Sequence, residues 1–542
     1  MRLGALAGLC AMVVASAWVL PLPVGPGAFA NAAVSDDRAG RPGIEDARRG
    51  GRLAQRYAQL VRRLGEAFEA EDFERGLRFA ERAVEMKPFD PIAHYNLACG
   101  LAMTGDVPAA EAALEEAIEL GFVDFHHIER NRYLEPIRGG ETYRRVFARW
   151  PELLDARAAA EERAFREAFD ERAYSCTEDV ELRLQKVSAY DEAESEVAWS
   201  QLRRVAAWAE SEFPAWFGAE AGRPPAWVMV ALPTAEDFAV LTGFTAGVGG
   251  VYDKHKQRLV SRDIGSSLRH EFVHVLHWRH MDRIGQVHPM WVQEGLAGLV
   301  EDVAGGIESA VLGDAAGGLA AGSAGGELRP LPNWRTNIVK RRVERGLLTP
   351  WTHLFAMDKR RFMARHRSAH YAESRAVMMF LHERGKLGAW YERFVTDFDE
   401  DPTGLGAVSI VFDQPIAEVE RAFRRWAAEL PKVSEVMSLS GGGLGVPLEP
   451  GEGDGPVVAG LGGPKGVEGV GDDPENRVRL RDVILAIDGV RTPTLDELLR
   501  VLGEYEAGEV VEVSLRRGSL RRTVRVELLD AEAGQGLEDR WP

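Results

Sequence analysis

Residues 270–274 read His-Glu-Phe-Val-His, two imidazoles with a carboxylate beside the first. On a helix, side chains four apart share a face about 5–6 Å from one another, so His270 and His274 can reach one cation. Glu271 is turned about 100° from His270, which aims it at water beside the metal and not at the metal itself. Ser266 and Ser267, just upstream, suit a helix start. A catalytic zinc site needs a third protein ligand and one open position. Glu294 stands twenty residues after His274, inside the second helical pattern Trp291-Val292-Gln293-Glu294-Gly295-Leu296-Ala297. His270, His274 and Glu294 would hold one Zn2+, with Glu271 as the catalytic base. Zinc acidifies water and polarises a carbonyl, and the carboxylate takes the proton and passes it to the leaving amine. That chemistry is hydrolysis.

His280, six residues after His274, competes for the third place, because metzincins set their last ligand there in H-E-x-x-H-x-x-G-x-x-H. Their glycine lets the chain turn; here that position is His277, which favours a continuing helix and aims His280 elsewhere. Glu294 is therefore the expected ligand. His277, His280 and His288 are expected on a polar surface or behind the ligands.

The twenty-residue step and the W-x-x-E-G-x-A context resemble the gluzincins, the thermolysin-like clan, and more closely the peptidase-MA-like bacterial domains. The likeness spans about residues 175–430, and its specific part is the two ligand-bearing segments. It implies an α+β zinc metallopeptidase domain acting on a protein or peptide. It implies that Tyr371, within His370-Tyr371-Ala372-Glu373-Ser374, donates to the developing oxyanion, with His370 the weaker choice. The other reading of Tyr371 is a helix residue packed on the core. In this clan an edge strand beside the zinc pairs with extended substrate, and Gly249 and Gly250 would allow that approach or simply make a turn. One departure stands out: where thermolysin-like enzymes carry an orienting Asp, this chain has Gly298, leaving Glu301 or Asp302 to serve instead.

The elements that must position these groups alternate between strand and helix. Residues 180–188 read as a strand, 195–213 as an amphipathic helix, and 227–232 as a short buried strand ended by Pro233. Residues 234–241 read as a helix capped by Thr234. Residues 251–252 and 258–261 form a hairpin just before the metal motif, and helical pattern returns over 333–430. A Gly-, Ala- and Ser-rich insertion fills 304–326. The metallopeptidase-like unit therefore runs over 174–432.

Around it the chain is multidomain. Residues 1–32 read as a secretory signal peptide, with an apolar run and small residues near 30–33; cleavage would export the chain to periplasm, cell envelope or medium and leave no membrane anchor. A linker is expected over 33–51. Over 52–150, Asp72 and Asp106, and Ala83 and Ala117, recur 34 residues apart, a period that resembles tetratricopeptide repeats and implies stacked α-helical hairpins offering a protein-binding surface. A connecting helix follows over 151–173. Residues 437–529 resemble a small, β-rich PDZ domain, on Gly443-Leu444-Gly445-Val446 and on Leu480 to Gly489. The resemblance implies capture of a C-terminal peptide by backbone N–H groups around Leu444, Gly445 and Val446. Residues 530–542 are a tail. The net charge of −18 over 542 residues argues against nucleic acid as a partner. Cys99 lies in an apolar helical pattern and is expected in the core.

Overall fold

The computed structural model describes residues 44–169, 174–218, 223–243, 248–304, 328–363, 366–433, 442–444, 446, 448–449, 451, 454–458, 477–503, 505 and 508–530. The expected signal peptide, nearly all of the 304–326 insertion, Gly445 and the tail beyond Asp530 lie outside the described residues. The architecture is α-rich, with two mixed or antiparallel sheets and a two-stranded pairing. No helix among the described residues is long and apolar enough to cross a membrane.

Helix α1 (Ile44–Glu69) starts seven residues before the expected end of the linker. Ala47, Arg48 and Arg49 are good helix formers, and a helix already anchored further on extends cheaply through Gly50 and Gly51. Helices α2 (Phe73–Met86), α3 (Pro91–Thr104) and α4 (Val107–Glu119) follow, each packed on its predecessor. Asp72 and Asp106 begin α2 and α4 in the same way, each accepting the N–H three residues on at 3.2 Å. Ala83 and Ala117 are both fully buried, as are Ala80 and Leu114. Cys99 is buried in the same cluster. Helices α5 (Phe125–Arg130) and α6 (Glu141–Ala148) close the stack, and α7 (Trp150–Ala168) leads away from it.

The central sheet has the order β1-β2-β3-β5-β4. Its inner strands β2 (Leu184–Ser188), β3 (Val228–Leu232) and β5 (Arg258–Ser261) are parallel and wholly buried. Edge strands β1 (Ser175–Asp179) and β4 (Gly250–Asp253) run antiparallel to their neighbours. The single strand expected over 180–188 is thus the second half of a hairpin. Asp179 accepts the Leu182 N–H, and Arg183 turns the chain at φ +50°. Helix α8 (Glu192–Glu212) begins three residues earlier than expected because Asp191 caps it by accepting the Glu194 N–H at 2.8 Å. Helix α9 (Ala235–Thr242) is capped by Thr234.

Helix α10 (Ser266–Ile284) then packs on β4 and β5, and α11 (Met290–Leu299) packs on α10. The start of α10 is held not by its serines but by Asp263, which accepts the N–H groups of Gly265 and Ser267. Helix α11 lies against the Arg367–Glu383 helix so closely that a Cβ at Gly295 would sit 2.9 Å from the Ser374 carbonyl. That helix lies within the helical pattern expected over 333–430. The Trp334–Glu344 helix opens with a capping box of Asn333 and Thr336.

The C-terminal unit is a sheet of order β12-β11-β9-β8-β7, built from Leu520–Glu527, Val510–Arg517, Val483–Ile487, Val457–Val458 and Leu448–Glu449. β10 (Val490–Arg491) folds back on β9. β6 (Gly442–Gly443) pairs with β13 (Leu529–Asp530), one residue past the expected boundary. The Leu495–Leu502 helix completes the unit, with Leu444 in its core and Val446 against it.

Candidate metal centre

Helix α10 puts His270 and His274 on one face, and α11 brings Glu294 to meet them. The Nε2 atoms of His270 and His274 lie 3.3 and 3.5 Å from Glu294 Oε2. All three ligand atoms fall within 4.8 Å of one another, the single such group found among the described residues. A tetrahedral ion bound at about 2.0–2.1 Å separates its donors by about 3.3–3.4 Å. The donor set therefore fits zinc in chemistry and in spacing. Both imidazoles and the carboxylate are about nine-tenths buried.

The electrostatics favour positive charge at this point. Burial works against a charged His270, but bonds to Glu294 and Glu301 outweigh it and push its pKa up to about 10. Burial likewise opposes the Glu294 anion, yet His274 and His270 hold its carboxyl well below the usual range. Glu301 is held low against burial by Arg335 and His270.

Of Glu301 and Asp302, both left open in the sequence, Glu301 is the carboxylate that reaches His270. Its Oε1 lies 3.1 Å from His270 Nδ1, which leaves Nε2 for the cation. Asp302 instead accepts from Asn333 Nδ2 at 2.8 Å. The place of the absent Asp at Gly298 is filled from outside: a Cβ there would sit 3.2 Å from Arg375 Cβ, and Arg375 donates to the Gly298 carbonyl at 2.6 Å.

Glu271 is fixed by the sheet edge. The Tyr252 N–H donates to Glu271 Oε2 at 2.9 Å. Arg262 N–H bonds the Gly249 carbonyl, so pairing alternates and Tyr252 turns its N–H away from β5. A Cβ at Gly250 would stand 2.7 Å from Glu271 Cγ, and one at Gly249 would stand 2.1 Å from Ser267 Oγ. Both glycines let β4 lie directly on the start of α10, a role distinct from the turn or substrate approach expected of them. Only the adjacent pair of glycines hinted at it in the sequence.

Tyr371 lies on the Arg367–Glu383 helix, half-buried against the main core, with its hydroxyl donating to Met363 sulphur at 3.7 Å. The Arg335 guanidinium sits 5.4 Å from its ring centroid. His370 is buried, with Nδ1 2.9 Å from the Phe362 carbonyl.

Of the two places expected for His277, His280 and His288, the polar surface is overturned. All three are buried, His277 completely, among Trp216, Tyr391 and Phe394. His277 Nε2 and His288 Nδ1 are 2.8 Å apart, and His280 Nδ1 meets Arg283 at 3.0 Å. Helix α10 runs unbroken to Ile284, so His280 is carried into this cluster and away from the ligands. Burial, then the neighbouring histidines, drives His277 and His288 well below their usual pKa, and burial with Arg283 takes His280 to about 4.

No family model matches the chain, and no curated protein matches it. Among solved structures, it is similar to an aminopeptidase N family protein from Idiomarina loihiensis, at 12% identity over 67% of this chain and 68% of that one. The TM-score is 0.27, too low for the likeness to carry an argument.

Proposed function

We propose that this protein is an exported zinc-dependent peptidase. The observation that carries the reading is the placement of His270, His274 and Glu294 donor atoms at 3.3 and 3.5 Å, with the neighbouring Glu271 carboxylate pinned at 2.9 Å on the sheet edge. Zinc, when bound, supplies Lewis acidity that acidifies water and polarises a carbonyl. Glu271 accepts the proton of the attacking water at its carboxylate and returns it to the leaving nitrogen. Glu301 holds the His270 proton on Nδ1. Tyr371 is proposed as donor to the oxyanion; its motion from Met363 towards substrate would be part of that role.

The flanking units are proposed as modules for polypeptides. The tetratricopeptide-like helices would bind a protein partner, and the PDZ-like unit a C-terminal peptide. Leu444 and Val446 pack inward, which would leave recognition to the backbone amides of residues 444–446.

The test is zinc content and peptide-library cleavage by the wild type and Glu271→Gln. Both should retain about one zinc per chain, while cleavage falls by roughly 10²–10⁴-fold in the variant. A zinc-loaded wild type that cleaves nothing would instead make the chain a peptidase-like scaffold.

A further inference from the structure

His270 takes its orientation from Glu301, yet Glu301 lies just beyond α11, where no helix fixes its rotamer. Its backbone is held from two sides. Arg269 donates to the carbonyls of Val300 and Glu301, and Arg375 to that of Gly298. These arginines are buried at the C-terminal end of α11, where cations satisfy the last carbonyls and suit the helix dipole. They place the Glu301 Cα but leave its carboxylate free to swing.

The carboxylate is aimed by a different part of the chain. Arg335 Nε donates to Glu301 Oε2 at 2.8 Å, and Asn333 Nδ2 approaches the same oxygen at 3.3 Å. Arg335 is itself held: its guanidinium lies over the Trp334 ring at 4.5 Å and the Tyr371 ring at 5.4 Å. The two segments are tied across a short bridge, Val303 with Pro330, and by the Leu331 N–H to the Asp302 carbonyl.

We infer that Arg335 is a positioning residue for the metal centre, acting through Glu301 on His270. One Glu301 oxygen is occupied by the guanidinium, so the other is presented to His270 Nδ1. That selects the ring orientation in which Nε2 faces the cation. The guanidinium also adds a full positive charge beside a carboxylate that is 6% exposed. This inference rests on the zinc reading of the site.

The test is zinc affinity by competition with a chromophoric chelator, on the full chain, for wild type, Arg335→Met, Glu301→Gln and the double variant. Outer partners of metal ligands set affinity by about 10–100-fold, so each single variant should weaken zinc by that factor. The double variant should be no weaker than Glu301→Gln alone, because the arginine acts only through the carboxylate. An Arg335→Met protein that binds zinc within twofold of wild type, or losses that simply add, would overturn the inference while leaving the metal site intact. A wild type that binds no zinc would remove the metal reading itself, a separate outcome. Should Arg335→Met fail to fold by circular dichroism, Arg335→Lys carries the same thresholds, since an ammonium cannot keep both the Nε geometry and the ring contacts.

Discussion

Gly250→Ala tests how Glu271, the proposed catalytic base, is held. The new methyl would stand 2.7 Å from Glu271 Cγ, with the Val260 carbonyl at 3.3 Å behind it. That is about 1 Å short of comfortable van der Waals contact. The carbonyl belongs to the buried β5, so the glutamate side chain must yield. Its bond from the Tyr252 N–H then breaks. A displacement of about 1 Å at a catalytic group costs about 10²-fold in rate, or about 2.7 kcal/mol in the barrier. The zinc ligands are untouched, so metal content should stay near that of the wild type. The assay is kcat on a cleaved peptide at saturating zinc, with zinc content and a thermal melt on the same sample. Gly249→Ala is the control: its methyl meets first the Ser267 hydroxyl, which can rotate, so the loss should be smaller. A Gly250→Ala enzyme within threefold of wild-type kcat, or one that loses zinc instead of rate, would refute the reasoning.

Glu294→Ala should lose zinc by at least a hundredfold in affinity, whereas His280→Ala should keep it, measured by chelator competition; the reverse order would restore the metzincin-like alternative. The buried histidine cluster should make the zinc-free protein acid-labile. The folded values of His277, His280 and His288 lie below the unfolded 6.5, so their contribution is complete above pH 6.5 and is lost as pH falls below it, for His280 over the window down to about 4. For His280, with a folded value of about 4, this amounts to roughly 3 kcal/mol. A His280→Gln protein should lose less stability between pH 7 and 5 in urea titrations; parallel slopes would sink the assignment. Cys99, whose thiol burial pushes up to about 12, should resist a maleimide in the native protein and react once urea unfolds it.

The parts of the site that share a helix were legible before any coordinates. The 270–274 spacing turns both imidazoles to one face through helix geometry alone, and a local apolar pattern marks the segment carrying Glu294 as helical. The cap at Thr234 is equally local. The hairpin of β4 and β5 falls on the two runs expected for it. Boundaries that depend on one side chain slipped, as at Asp191 and Arg183, where a cap and a left-handed turn decided the outcome.

What the tertiary structure decided is which distant residues meet. His277, His280 and His288 read in the sequence as polar-surface groups or as residues behind the ligands, and in the fold Trp216, Tyr391 and Phe394 enclose them. Their type signals polarity, but burial is set by what packs against them, and those partners lie up to about a hundred residues away. Gly250 reads as a turn or as room for substrate, and its contact with α10 shows only when that helix is laid on β4. Glu301 and Arg335 are 34 residues apart and join only because a chain bridge returns Pro330 to Val303. Helical period and residue type are properties of neighbouring residues, so the His270–His274 motif is written in the sequence. Orientation of those ligands depends on contacts across the fold, which no local spacing encodes.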